Sequence, residues 1–186
     1  FRSSNITTPF HWGQKYEEVS VMLYEKKHNT KVDDFGCIQH QKHYFLGASP
    51  DGINTKKDNP LYGRMLEIKN IFNREITGIP KEEYWIQMQL QMETCDLNEC
   101  DFLETRFKEY ESEEEFYADG TFTRTKDNKK KGIMMHFNKD GYAHYEYCPL
   151  FDKKTSDEEC KKKFQEWEEQ MMEKNSNFMW VANIYW

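Results

Sequence analysis

Between Met65 and Lys69 the chain alternates, Leu66 and Ile68 against Glu67 and Lys69. A period of two belongs to a β-strand with one polar face. This strand therefore carries a carboxylate and an amine side by side on that face, an arrangement with an electrostatic use. Upstream, Pro50-Asp51-Gly52 is a turn signal that bends the backbone tightly and lets the Asp51 carboxylate project. If the two segments pair as neighbouring strands, Asp51 and Glu67 converge on one divalent ion. Hard cations such as magnesium are held this way, by one or two carboxylates plus water and phosphate oxygens. Lys69 then faces the attacking water or the charge of the transition state. The plain alternative is a Pro-Asp-Gly hairpin followed by an amphipathic strand with a surface ion pair.

Reduced to a pattern, P-D followed by E-x-K resembles the signature of the restriction-endonuclease-like nucleases. The flanks add to it. Upstream stands Trp12-Gly-Gln-Lys-Tyr-Glu17, and downstream Tyr84-Trp-Ile-Gln87-Met-Gln-Leu-Gln91-Met92. The order G-x-x-x-E, S-P-D-G, L-E-I-K, Y-x-x-Q-x-Q, from Gly13 to Met92, resembles the YqaJ-type viral recombinase nucleases, the family of the phage lambda exonuclease. The resemblance implies an α/β fold with a restriction-endonuclease-like core, a central mixed β-sheet flanked by helices. It implies a magnesium- or manganese-dependent nuclease using one or two ions, most simply a 5′-to-3′ exonuclease on double-stranded DNA. An endonuclease or RNA-degrading enzyme of the same fold, or a non-catalytic DNA-end-binding protein, stays open. A viral or phage source, action in recombination or replication, and residence in the host cytoplasm or nucleus rather than secretion are implied as well.

Carried over residue by residue, the resemblance makes Asp51, Glu67 and the backbone carbonyl of Ile68 ligands of the principal ion. Glu17 supports a second ion or positions water, with Glu18 competing by one register step. Lys69 and Gln87 join the catalytic set, and Tyr84, Gln91, Ser49 and Arg2 are the substrate contacts. Family members grip a terminal 5′ phosphate with an arginine and serines ahead of the G-x-x-x-E helix. Arg2, Ser3 and Ser4 stand in that segment without aligning to those positions. The chain opens on Phe1 rather than Met and reads as lacking an N-terminal segment of the family. Implied partners are DNA, a single-strand annealing protein and further copies of the chain.

At 186 residues the length suits a single nuclease domain over 1–186. No apolar run approaches the roughly 20 residues of a membrane span. The five cysteines are irregularly spaced and read as reduced thiols rather than a disulfide framework or zinc site. A net charge of −7 is awkward for a protein that binds phosphates. The acid is segregated, however, into Glu111–Glu115 and Asp157–Glu159, which leaves room for a positive channel elsewhere.

Helices are expected over Gln14–Lys27, with Tyr16, Val19 and Leu23 on one stripe, over Glu82–Thr94 after Pro80, and over Ser156–Glu173 with Cys160, Phe164, Trp167 and Met171 inward. On the second helix Tyr84, Gln87 and Gln91 share a face, and Trp85, Met88 and Met92 pack into the core. Strands are expected over Val32–Ile38, His43–Ala48 and Glu99–Tyr110. A hairpin joins Ile133–Phe137 to Tyr142–Tyr147 through Asn-Lys-Asp-Gly. Lys126–Lys131 is a basic loop open to phosphate, and the aromatic tail Phe178–Trp186 docks on the fold or on a neighbouring copy.

Overall fold

The structure, a computed structural model, describes residues 6–186. The chain gathers into two compact units: Tyr16–Arg106, and the residues up to Lys15 together with Phe107–Trp186. No helix of the described residues is long and apolar enough to cross a membrane.

The first unit runs from α1 (Pro9–His28, entering it at Tyr16) through β1 (Val32–Asp33), β2 (Ile38–Gln39), β3 (Gly47–Ala48), β4 (Gly52–Asn54), β5 (Met65–Asn70), α2 (Glu82–Cys95) and β6 (Cys100–Thr105). Its main sheet has the order β1-β4-β5-β6. The β4–β5 pair is an antiparallel hairpin, Gly52 opposite Leu66, whereas β5 and β6 run parallel, Met65 opposite Cys100. A parallel neighbour requires a crossover, and α2 supplies it. The expected α/β architecture with a mixed sheet is thus present, and β4 and β5 are its two inner strands.

Alternation in β5 sorts its side chains. Leu66 and Ile68 pack against Val21 and Tyr24 of α1 and Val32 of β1 in one buried cluster. Polar pins fix the helix to the sheet: the Tyr24 hydroxyl donates to Asp101 at 2.6 Å, and Asn54 Nδ2 donates to the Tyr24 oxygen at 3.1 Å. Ser20, fully buried, donates to Asn70 Oδ1 at 2.7 Å. Gly52 is required where β1 and β4 close up, because a Cβ there would lie 2.2 Å from Val32 Cγ1.

Several expected elements are shorter than their patterns. Val32–Ile38 and His43–Ala48 yield only two-residue strands, since Gly36 turns the chain at φ 64° and residues 40–46 form a loop. The strand expected over Glu99–Tyr110 ends at Thr105, where the amide of Ile71, just past the end of β5, makes the last bond to the Thr105 carbonyl. Helix α2 presents Met88, Gln91 and Thr94 inward, while Trp85 is 53% exposed, so its expected place in the core is wrong. The Tyr84–Met88–Gln91 stripe meets the sheet instead; amphipathic periodicity allowed either neighbouring stripe and packing chose.

The second unit holds α3 (Glu113–Ala118), β7 (Ile133–Lys139), β8 (Tyr142–Tyr147), α4 (Asp157–Lys174) and β9 (Met179–Tyr185), with strand order β8-β7-β9. The β7–β8 hairpin turns on Asp140 and Gly141, both at positive φ, as its two-residue loop demands. The aromatic tail docks within its own unit, as the antiparallel strand β9 on β7. Phe116, Phe122, Phe164 and Tyr185 form the core of this unit.

Both acidic runs turn out to be helix starts. Ser112 and Ser156 are N-caps whose hydroxyls accept the amides of Glu115 and Glu159, placing the carboxylates where the helix dipole favours them. Lys131 departs from the expected phosphate-binding loop. Its amine is buried and donates to the carbonyls of Phe116, Asp119 and Thr121.

Candidate active site

Asp51 stands where the β4–β5 ladder stops. Its Oδ2 accepts the amide of Ile68 at 2.6 Å, so the side chain replaces the next rung of the sheet. The register explains why a replacement is needed. Asn54 donates to the Arg64 carbonyl at 2.9 Å and Gly52 lies opposite Leu66, which puts Pro50 opposite Ile68 two residues further on. Proline has no N–H to donate. In an extended strand the N–H and C=O of one residue emerge on the same side. The Ile68 carbonyl therefore points toward Asp51 with no ladder donor facing it.

Glu67 projects from the opposite pleat. It is 2% exposed, its Oε1 accepts from Lys69 Nζ at 2.9 Å, and its Oε2 is buried without a hydrogen-bond partner. Lys69 also lies over the ring of Tyr84 on α2, 4.6 Å from its centroid, and Tyr84 in turn faces Phe102 of β6. Glu17, one helical position beyond the buried Tyr16, lies close enough to Asp51 for the two carboxyls to share a proton, and feels the charges of Asp34 and Glu67. Glu18 is turned elsewhere, toward Glu25 and Lys31. Geometry thus places Glu17, not its neighbour, beside Asp51.

Three carboxylates share this region of low dielectric, and their electrostatics record it. Burial, then the charge of Glu67, pushes the Asp51 carboxyl up to about 7. Burial, then the charge of Asp34, raises Glu17. Burial and the neighbouring Glu67, Asp101 and Asp51 push the Cys100 thiol up to about 12. Repelling carboxylates with an orphaned buried oxygen fit a hard cation, which would take oxygen donors and cancel their charge. Among the described residues no set of three or more His, Cys, Asp or Glu is already gathered as ligands around a common point. In this state Asp51 is engaged with an amide and with Glu17, and Glu67 with Lys69.

The remaining candidates scatter. Gln91 is buried, with Oε1 lacking a partner, whereas Gln87 is exposed on α2, away from the stripe that faces the sheet. Ser49 is exposed beside the turn. Arg2 lies outside the described residues, as do Ser3 and Ser4. Asp34 and Cys100 were not anticipated. Cys100 comes into place through the parallel pairing of β6 with β5, and no local motif announces it.

The model of the YqaJ-like viral recombinase domain matches residues 2–98. An uncharacterized protein of Acanthamoeba polyphaga mimivirus is 41% identical over 121 residues, covering 59% of this chain and 22% of that protein. Among solved structures, the alkaline exonuclease LHK-Exo of Laribacter hongkongensis is 28% identical, with a TM-score of 0.45 over 55% of this chain and 52% of its own. Its complex with dAMP gives a TM-score of 0.44 at 28% identity over 55% and 51%. The chain spans about a fifth of the viral relative's length and about half of the bacterial exonuclease's.

Proposed function

This chain belongs to the YqaJ-like viral recombinase domain family, and from that premise we propose that it is a metal-dependent deoxyribonuclease, a 5′-to-3′ exonuclease on double-stranded DNA serving viral recombination or replication. The observation that carries this reading is the meeting of Asp51, Glu17 and Glu67 beside a lysine already paired to one of them. Asp51, Glu67 and the Ile68 carbonyl would hold the principal ion, and Glu17 would support a second. Bound magnesium or manganese supplies Lewis acidity and positive charge at the scissile phosphate. Lys69 orients the attacking water and donates hydrogen bonds to the phosphate oxygens as charge builds on them. Tyr84 holds the amine from below, its ring face favouring the cation. Gln91, with its oxygen unpartnered, faces the same side of the sheet as a positioning group.

The test is digestion of end-labelled linear duplex, closed circular duplex, single-stranded DNA and RNA, with magnesium and then with EDTA. The expected outcome is mononucleotide release from the 5′ strand of linear duplex only, abolished by EDTA. Cutting of circles would make the protein an endonuclease, and degradation of RNA alone a ribonuclease. Binding of ends without cleavage in any metal would leave a DNA-end-binding protein.

A further inference from the structure

Between β2 and β3 the chain makes a short excursion over residues 40–46 that is locked from the inside. His40 is 8% exposed, and its Nδ1 accepts the amides of Lys42 and His43, each at 3.0 Å. With Nδ1 an acceptor, the ring proton sits on Nε2 and is donated to Glu93 of α2 at 3.3 Å. The backbone closes the loop through His40 N to Leu46 O at 2.9 Å and Leu46 N to His43 O at 2.8 Å, and Gln39 Nε2 holds the Tyr44 carbonyl at 2.8 Å.

What this frame presents is apolar and aromatic. Tyr44 is 73% exposed and Phe45 84%. The rings of His40 and His43 lie 4.9 Å apart and those of His43 and Phe45 5.7 Å apart, each pair tilted, by 43° and 48°, a run of rings that ends on the exposed face of Phe45. A loop fixed by an internal histidine that nonetheless leaves its own two largest rings in water is displaying them.

Charge selects the occupant. In a chain of net charge −7, residues 35–50 contain no Asp or Glu, and Lys42 stands immediately beside the rings. Aromatic faces flanked by a cation suit nucleic-acid bases, which stack on them whatever their sequence while the backbone phosphates meet the cation. Position agrees. Phe45 precedes Asp51 by six residues, at most about 20 Å of extended chain, or about six stacked nucleotides at 3.4 Å each along a strand.

We propose that Tyr44 and Phe45 form a stacking platform for unpaired bases of the strand whose phosphodiester lies at Asp51 and Glu67. This rests on the nuclease reading and names the part of the substrate the hairpin takes: single-stranded bases next to the cleavage point.

The experiment compares the whole chain with its Tyr44→Ala/Phe45→Ala and Tyr44→Trp/Phe45→Trp variants. Fluorescence anisotropy, in calcium and again in EDTA, measures binding of labelled single-stranded DNA, a duplex with an unpaired end, and a blunt duplex. Alanine at both positions is expected to weaken binding of single strands and unpaired ends by about tenfold or more, with the blunt duplex changed far less, and tryptophan is expected to restore it. Hydrolysis of thymidine 5′-p-nitrophenyl phosphate with manganese, whose one base belongs to the nucleotide being cut and which carries no further strand to lie on the platform, is expected to be unchanged. Equal affinity of the alanine variant and the parent for single strands, or no single-strand binding by the parent in either buffer, would overturn the proposal. So would light scattering showing that the parent self-associates through this tip and the alanine variant does not. If the ester is untouched by parent and variants alike, the nuclease reading fails, and the binding comparison still decides the platform.

Discussion

At the scale of the residue, Asp51 is held in a position that disfavours its own charge. Its carboxyl, raised from 3.8 to about 7 by burial and the nearby Glu67, binds a proton more tightly folded than unfolded. Folding stability of the metal-free protein is therefore expected to fall as pH rises from about 4 to about 7 and to level off above, because the native state is then the one holding more protons. Asp51→Asn should flatten that slope and melt higher than the parent at pH 8, while abolishing DNA cleavage because an amide replaces a charged ligand. Thermal melts across pH, paired with the digestion assay, check both halves. A variant that melts lower at pH 8 and still cuts would contradict the site. Lys69 separates from the ligands in the same way. Lys69→Ala removes charge from the transition state but no metal donor, so turnover should collapse by about 100-fold or more with manganese affinity nearly intact. Calorimetric titration should instead show Glu67→Ala weakening the ion, and the opposite ranking would reverse the two roles.

At the scale of the element, β4 and β5 form the hairpin that assembles the site, and its end is set by one imino acid. Pro50→Ala restores an N–H opposite the Ile68 carbonyl, and a ladder bond of about 1 kcal/mol then competes with the cation for that oxygen. Manganese affinity is expected to drop about fivefold, measured by calorimetry alongside a melt to confirm the fold; unchanged affinity would mean the carbonyl holds no ion. How much of this was readable in sequence follows from the range of each interaction. The β5 strand, α2 and the β7–β8 turn are written in local alternation and turn chemistry, and they formed where expected, whereas β4 lies at Gly52–Asn54, just past the turn signal rather than in the strand expected before it. The partner strands of β5 are not local. That Cys100 would lie beside Glu67, or that β6 would stop at Thr105, depends on parallel pairing across a helix. The facing of α2 was equally hidden, since Trp85 and Tyr84 begin adjacent stripes of comparable hydrophobicity. The S-x-x-E capping pattern, by contrast, was legible: it opens the expected helix at Ser156, and at Ser112 it would have identified a further helix start.

At the scale of the whole molecule, the candidate residues from Glu17 to Gln91 belong to the unit Tyr16–Arg106. The resemblance places the grip on a terminal 5′ phosphate ahead of the G-x-x-x-E helix, the segment in which Arg2, Ser3 and Ser4 stand, outside the described residues. Arginine suits that task because its planar fork meets phosphate oxygens in two parallel bonds. A matched time course on 5′-phosphorylated and 5′-hydroxyl duplexes tests whether Arg2 performs it, and equal rates would leave Arg2 without that role. A preference of about tenfold or more, about 1.4 kcal/mol in the barrier, would reveal a phosphate pocket and make Arg2→Ala the next variant to measure.

The ion pair between Lys69 and Glu67 has a consequence for how such a protein waits. A cluster of carboxylates with no counter-ion pushes itself apart, yet this one keeps an amine parked 2.9 Å from its most deeply buried member. The protein carries its own stand-in cation, so it can be made and stored folded in a cell poor in free divalent ions. On the proposed reading, Glu67 would exchange the amine for the metal, and Lys69 would be released to donate to the phosphate. The fold of the resting protein would then not depend on the ion that its chemistry needs.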